Sequence, residues 1–465
     1  MDTMMKYLVF VVCLQLSACD YADYAKFVRS QEKNETFVRL FEQHLKLFKD
    51  DGKPQLKSGE EFHCKPYPAP AAKTTSVHSL RPMDIKVVGA LGDSITAGTG
   101  ITASTVIGLL REDRGLSWSV GGEKSVNEEE TIPNILKVYN KELKGFSTGW
   151  GPVWTESSHL NVANPGDTSE DMPGQAELIV KRMKEDKTID YDNDWKLITL
   201  FVGGNDLCKY CNDKSKYSAE NYVGHIQQAL DYLHANVPRA FVNVVQILDV
   251  AIIKRLNANI VCDALHLFLC KCAAFPANSE AEADLVAETQ RYRDQTAALV
   301  QSGRYDTRDD FTAVVQPFFT ETRPPMKEGS EEPDLSYFAP DCFHLSLKGH
   351  RAAADALWNN MIEPMAQKRK YWSPGEKIEC PSAEHPYFYT YKNSQPGIDA
   401  QPGLLGSRSQ SYSSSQSDTN TGSQSMSITS VVIAAVAMGA VVLVVVGVVA
   451  WRRRSSVRRQ SYTSI

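Results

Sequence analysis

Short apolar runs alternate along the middle of the chain with stretches whose apolar residues recur every three or four positions. The runs are Ile85 to Leu91, Leu160 to Ala163, Leu197 to Val202, Phe241 to Leu248 and Val314 to Phe319. Runs of this length and composition predict strands buried on both faces. Between them, Tyr222, Ile226, Leu230 and Leu233 make one helical face. Ala281 to Val300 predicts a second helix, closed by Gly303, and Arg351 to Met361 a third. The alternation predicts an α/β fold with a central parallel sheet covered by helices on both faces. In such sheets a ligand site forms at the carboxyl ends of the strands. Upstream, Phe37, Leu40, Phe41, Leu45 and Phe48 recur at helical spacing before Pro66, Pro68 and Pro70 break regular structure. Residues 20–83 are thus expected to be a helical and extended region packing on a domain of residues 84–393.

The pattern changes at both ends. Lys6 precedes an apolar run, Tyr7 to Leu16, followed by the small residues Ser17, Ala18 and Cys19. This is the layout of a secretory signal peptide over residues 1–19, too short to span a bilayer. Leu16 to Cys19 also fits a bacterial lipoprotein box. Residues 394–427 are rich in Ser, Gln, Gly and Thr, as a stalk would be. Val431 to Ala450 carries no charge, and Trp451 and five arginines follow. That predicts a transmembrane helix over residues 428–450 and a cytoplasmic tail over 451–465. The expected topology is single-pass type I in the cell membrane, with the preceding domain outside.

Net charge is −6, and without the five tail arginines it falls to near −11. An acidic body does not attract phosphate backbones, so nucleic acid is excluded as a partner. Beyond Cys13 and Cys19, eight cysteines remain, an even number that suggests disulfides in an exported domain. Their pairing cannot be read from spacing. Cys208-x-x-Cys211 also admits a zinc or redox reading, but no second half of a four-ligand site accompanies it. Asn34-Glu35-Thr36 is an acceptor pattern for N-glycosylation at Asn34. The chain ends Thr463-Ser464-Ile465, a pattern that PDZ domains bind by strand addition.

Three expected strand ends carry unusual polar groups. The first is Gly92-Asp93-Ser94, where a serine between a strand end and a helix start suits a nucleophile. The second is Asn164-Pro165-Gly166-Asp167, where glycine lets a backbone N–H approach a ligand closely. The third is Gly203-Gly204-Asn205-Asp206, where the Asn205 amide can donate to an oxyanion. Asp341-Cys342-Phe343-His344 places an acid three residues before a histidine. Such an acid can fold back onto Nδ1–H, fix the tautomer and leave Nε2 free to deprotonate Ser94. No Gly-x-Ser-x-Gly elbow, His-Glu-x-x-His or phosphate-binding loop competes with this reading. His350 reads as an early-helix residue and His159 as structural.

These blocks resemble the GDSL/SGNH hydrolase superfamily, matching at Ser94, Gly166, Asn205 and His344, with Asp341 in the Asp-x-x-His position. The resemblance implies a flavodoxin-like three-layer α/β/α SGNH hydrolase domain. It implies Ser94 as nucleophile, His344 as base and Asp341 as its orienting acid. The Ser94 and Gly166 N–H groups and the Asn205 side chain would form the oxyanion hole. Longer strings are similar to the membrane-associated phospholipase B family: Trp118 to Gly122, Thr131 to Leu136, Phe201 to Cys208, Asp341 to His350 and Tyr387 to Asn393. That resemblance, over residues 35–393, implies calcium-independent release of fatty acids from phospholipids and lysophospholipids, with no cofactor. Vertebrate members of that family carry several tandem copies of the domain; this chain carries one. A soluble or carbohydrate ester as substrate, or a non-catalytic cell-surface role, are the competing readings, because fold does not fix substrate.

Overall fold

The computed structural model describes residues 61–66, 73–104, 106–256 and 260–394. The expected signal peptide, the expected helix over 37–48, the Asn34 acceptor pattern, the expected stalk and transmembrane segment and the Thr463–Ile465 tail lie outside the described residues. Among the described residues no helix is long and apolar enough to cross a membrane.

Four strands form one parallel sheet in chain order: β1 (Ile85–Gly92), β2 (Trp195–Phe201), β3 (Ala240–Val245) and β4 (Phe311–Gln316). Gly92 pairs with Phe201, Leu200 with Val244, and Val245 with Gln316, so the carboxyl ends align along one edge. Every residue of β2, β3 and β4 is buried, as an internal parallel sheet requires.

Nine α-helices connect and cover it. They are α1 (Ser94–Ala97), α2 (Ile132–Tyr139), α3 (Met172–Glu185), α4 (Gly204–Lys209), α5 (Ala219–Asn236), α6 (Ile260–Leu269), α7 (Lys271–Ala274), α8 (Ser279–Gln301) and α9 (Leu347–Met361), counted among the described residues. Caps set several starts: Ser218 accepts from Asn221 N–H, Asn278 from Ala281 N–H and Ser346 from Gly349 N–H. Each such cap contributes about 1 kcal/mol. The apolar stripe of α5 buries Tyr222, Ile226, Leu230 and Leu233 as its periodicity predicts. Helices α3, α5 and α8 pack side by side, and α2 packs on α9. Trp118, Phe201, Phe318 and Phe319 form an aromatic cluster in the core, with ring centroids 4.3 to 6.2 Å apart. Trimming such a fully buried ring to alanine costs about 3–5 kcal/mol.

The second apolar run departs from expectation. Leu160 to Ala163 is no strand; Asn161 makes an isolated parallel bridge to Ala90, and Lys144 makes another to Val87. These two short pieces share the outer flank of β1. Gly145, in the left-handed region at φ +83°, turns the chain away between them. The outer carbonyls of Asn161 and Ala163 are closed by the fully buried Arg114 guanidinium, at 3.0 and 2.9 Å, instead of by a further strand. The last strand is also displaced: β4 ends at Gln316 because Pro317 has no N–H to continue the ladder, so Phe318 and Phe319 turn into the core.

The eight cysteines pair as Cys64–Cys380, Cys208–Cys270, Cys211–Cys272 and Cys262–Cys342. Cys208 and Cys211 each bond a different partner, which removes the zinc reading.

Candidate active site

Strand β1 stops at Gly92 because its Cα is wedged against the next strand. A Cβ there would strike the Phe201 carbonyl and come within 2.7 Å of Thr96 Oγ1. Asp93 then caps α1, accepting 3.0 Å from Ile95 N–H, and Ser94 opens the helix, 3 % exposed. The turn thus presents a nearly buried hydroxyl at the carboxyl end of the sheet.

His344 arrives from the far end of the domain. Its Nε2 lies 2.8 Å from Ser94 Oγ, and its Nδ1 lies 2.5 Å from Asp341 Oδ2. Asp341 also accepts from Phe343 and His344 N–H at 3.1 and 3.0 Å. Cys342, between acid and imidazole, takes the left-handed conformation at φ 55°. Burial pushes the Asp341 carboxyl up, but the neighbouring His344 imidazole and these N–H donors outweigh it and hold the group below the ordinary carboxylate range. An ionised acid on Nδ1 directs the Nε2 lone pair at the hydroxyl, the arrangement that activates a serine oxygen.

Two further loops reach the same end of the sheet. Gly166 is buried in the left-handed region at φ +80°. The half-buried Asn205 donates its amide 2.8 Å to the Asp167 carbonyl, joining the third loop to the second. Gly203, at φ +124°, makes that approach possible; a Cβ there would stand 3.0 Å from the Tyr222 ring. The second loop is tied to the first through Asn164 N–H, which donates 3.2 Å to the Gly92 carbonyl. Ser94, Asp341 and His344 are therefore in direct contact, and Gly166 and Asn205 are joined through Asp167. His350 stays out of the relay: its Nδ1 accepts 3.2 Å from Trp118 N–H, and burial, then the nearby His344, pushes its pKa down to about 3.

Sequence reasoning missed the side chains that hold these loops. Gln175 on α3 bonds Gly92 and Asp167 together. Asp206 accepts from Ser169 N–H at 3.1 and 3.0 Å and from Ser169 Oγ at 2.7 Å, and Ser169 Oγ also meets His225 Nδ1 at 3.1 Å. Burial pushes Asp206 up to about 6 against these bonds. Asp93 is likewise pushed up to about 7 by burial, with Asp206 and Asp167 adding to the shift and the Ile95 N–H opposing it. Asp93 and Asp206 had a signal, each standing in a polar run at a strand end; Gln175 and Ser169 had none.

The family model described as GDSL-like Lipase/Acylhydrolase matches residues 88–357. The chain is 46% identical over 360 residues to "Phospholipase B1, membrane-associated" of Homo sapiens, covering 76% of this chain and 25% of that protein. It is 45% identical over 354 residues to the protein of that name in Mus musculus, covering 74% and 24%. In Rattus norvegicus the figures are 43% over 378 residues, covering 79% and 26%. The chain spans about a quarter of the length of the curated relatives it matches.

Proposed function

Because the chain belongs to the GDSL-like lipase/acylhydrolase family, a family of carboxylic ester hydrolases, we propose that it releases fatty acids from phospholipids and lysophospholipids by way of Ser94. The observation that carries this reading is the continuous relay from Ser94 Oγ through His344 to Asp341, at 2.8 and 2.5 Å. Relatives named as membrane-associated phospholipase B1 support the substrate class.

In the proposed reaction Ser94 Oγ attacks the ester carbonyl carbon while His344 Nε2 takes its proton. The tetrahedral oxyanion is met by the Ser94 and Gly166 N–H groups and the Asn205 amide. His344 then returns the proton to the departing alcohol as the C–O bond breaks, leaving an acyl-Ser94 ester. Water, deprotonated by His344, releases the fatty acid and restores the serine. Asp341 holds the tautomer and stabilises the imidazolium. The oxyanion donors supply the electrostatics, so turnover is proposed to be independent of calcium and of any cofactor.

The proposal extends to placement. With 160–163 counted as a strand remnant on the outer flank of β1, the spatial order becomes 2-1-3-4-5, the flavodoxin-like order, and Ser94 lies at its switch point. Residues 1–19 are proposed as signal peptide, 84–393 as the catalytic domain, 394–427 as stalk, 428–450 as membrane span and 451–465 as a cytoplasmic tail open to PDZ domains. Asn34 is proposed as glycosylated on the extracellular side.

The test is fatty-acid release from lysophosphatidylcholine by the full chain and by Ser94→Ala, each with and without EDTA. Activity that EDTA leaves unchanged and Ser94→Ala abolishes is expected. Undiminished turnover by Ser94→Ala overturns the reading, and a strong preference for a soluble ester redirects it to that substrate class.

A further inference from the structure

Helix α6 is unusual for a surface helix. Of its ten residues, Ile260–Leu269, the one formally charged at neutral pH is Asp263. Its inward face buries Cys262 and His266, yet Leu267 is 37% exposed and Leu265, Phe268 and Leu269 remain half-buried. Helix α7 packs against it, and Phe275 follows at 41% exposed. A helix apolar nearly all round belongs in a core or against another apolar phase.

The segment is also fastened to both halves of the active site. Cys262 bonds Cys342, the residue between Asp341 and His344's neighbour Phe343. His266 Nε2 lies 3.1 Å from the Cys342 carbonyl. Leu256, Cys262 and Cys342 form a small apolar cluster, flanked by Leu335 and Phe338. At its other end, Cys270 and Cys272 bond Cys208 and Cys211, three and six residues beyond Asn205. The strap is thus joined covalently to the loop that carries His344 and to the helix that carries Asn205.

We infer that residues Ile260–Phe275 are the surface through which the protein meets a phospholipid bilayer, with Leu267, Phe268 and Phe275 entering the acyl layer beside the Ser94 site. This deepens the phospholipase reading and rests on it. Exposed Arg255 and Lys271 stand at either end of α6, where headgroup phosphates would lie; Lys254 is engaged by Glu282 at 2.8 Å. The tether argues for the same occupant. Only 36 residues separate Ser394 from Val431, where the uncharged run begins. Even fully extended such a tether reaches no more than about 130 Å, so if that run is the proposed membrane span, a bilayer is always within the domain's reach. Interfacial contact raises turnover of aggregated lipid and leaves a dissolved ester unaffected.

The test uses the full chain reconstituted in phosphatidylcholine vesicles, with p-nitrophenyl butyrate as the dissolved ester. In Leu267→Ser/Phe268→Ser protein, fatty-acid release from the vesicles is expected to fall about tenfold while dissolved-ester hydrolysis stays within about twofold. Phe275→Ser alters one exposed side chain outside α6, so the fold is kept; a fall of about threefold with the same selectivity is expected. Unchanged vesicle turnover in either variant, or parallel losses on both substrates in Phe275→Ser, overturns the inference. Ester hydrolysis that survives Ser94→Ala would instead overturn the proposed chemistry, whatever the vesicle ratio.

Discussion

Gln175 closes both backbone groups of Gly92: its Oε1 accepts from Gly92 N–H and its Nε2 donates to the Gly92 carbonyl, each at 2.8 Å. The same Nε2 donates 2.8 Å to Asp167 Oδ2. One buried amide on α3 thus holds the turn before Ser94 and the loop carrying Gly166 in a single geometry. Gln175→Leu strands the buried Gly92 N–H and takes one donor from Asp167, at a cost of about 1–3 kcal/mol. The expected result is a lower melting temperature and a kcat reduced about 10- to 100-fold with KM on a dissolved ester little changed, because sub-ångström misplacement acts on the transition state. Thermal melts and steady-state kinetics check it, and equal loss in KM would point to a binding role.

Asp341→Asn keeps the size of the side chain and removes the charge that fixes the His344 tautomer. A kcat loss of about 10³- to 10⁴-fold is expected, with folding intact. Secretion level and circular dichroism should match the parent. Activity within about tenfold of the parent would deny Asp341 its proposed part.

Asp93 predicts a pH effect on stability. Folded, burial pushes its carboxyl up to about 7, against an ordinary carboxyl value of 3.8. The folded chain therefore binds more protons than the unfolded chain between those values, and the stability this group confers falls as pH rises through that window. Asp93→Asn can still accept from Ile95 N–H. It should match the parent at pH 4 and exceed it at pH 8 by up to about 4 kcal/mol, read from urea melts. A parent and variant that differ equally at both pH values would contradict the assignment.

Cys262→Ser/Cys342→Ser releases the loop that carries Asp341 and His344 from α6. The bridge closes a span of 80 residues. Its loss should cost about 2–4 kcal/mol of stability and lower kcat on both dissolved and aggregated esters. Cys64→Ser/Cys380→Ser, remote from the relay in sequence, should lose stability without that kcat effect.

Much of this was legible in the chain itself. β1, β2 and the helix at 219–236 were readable because their burial pattern is local. Ser94, Asp341 and His344 could be picked out as candidates because each sits in a short polar run at a strand or loop end. The 160–163 piece was misread because its composition suits a strand, while its outer partner is a side chain, Arg114, more than forty residues earlier. Gln175 was invisible for a related reason: it occupies an ordinary position on an amphipathic helix, and its bonds reach 83 residues back to Gly92. Disulfide pairing depends on the same long-range closure.

The Arg114 guanidinium has a consequence beyond the fold of one molecule. The flank of a sheet ordinarily invites another chain to zip onto its free amides and carbonyls, which is how folded proteins begin to fibrillise. Here the carbonyls of Asn161 and Ala163 are already occupied by a charged plug, with Nε donating 2.7 Å to the Gly151 carbonyl behind it. Neighbouring copies crowded together meet a sealed margin, and that route to polymerisation is shut at this side of the sheet.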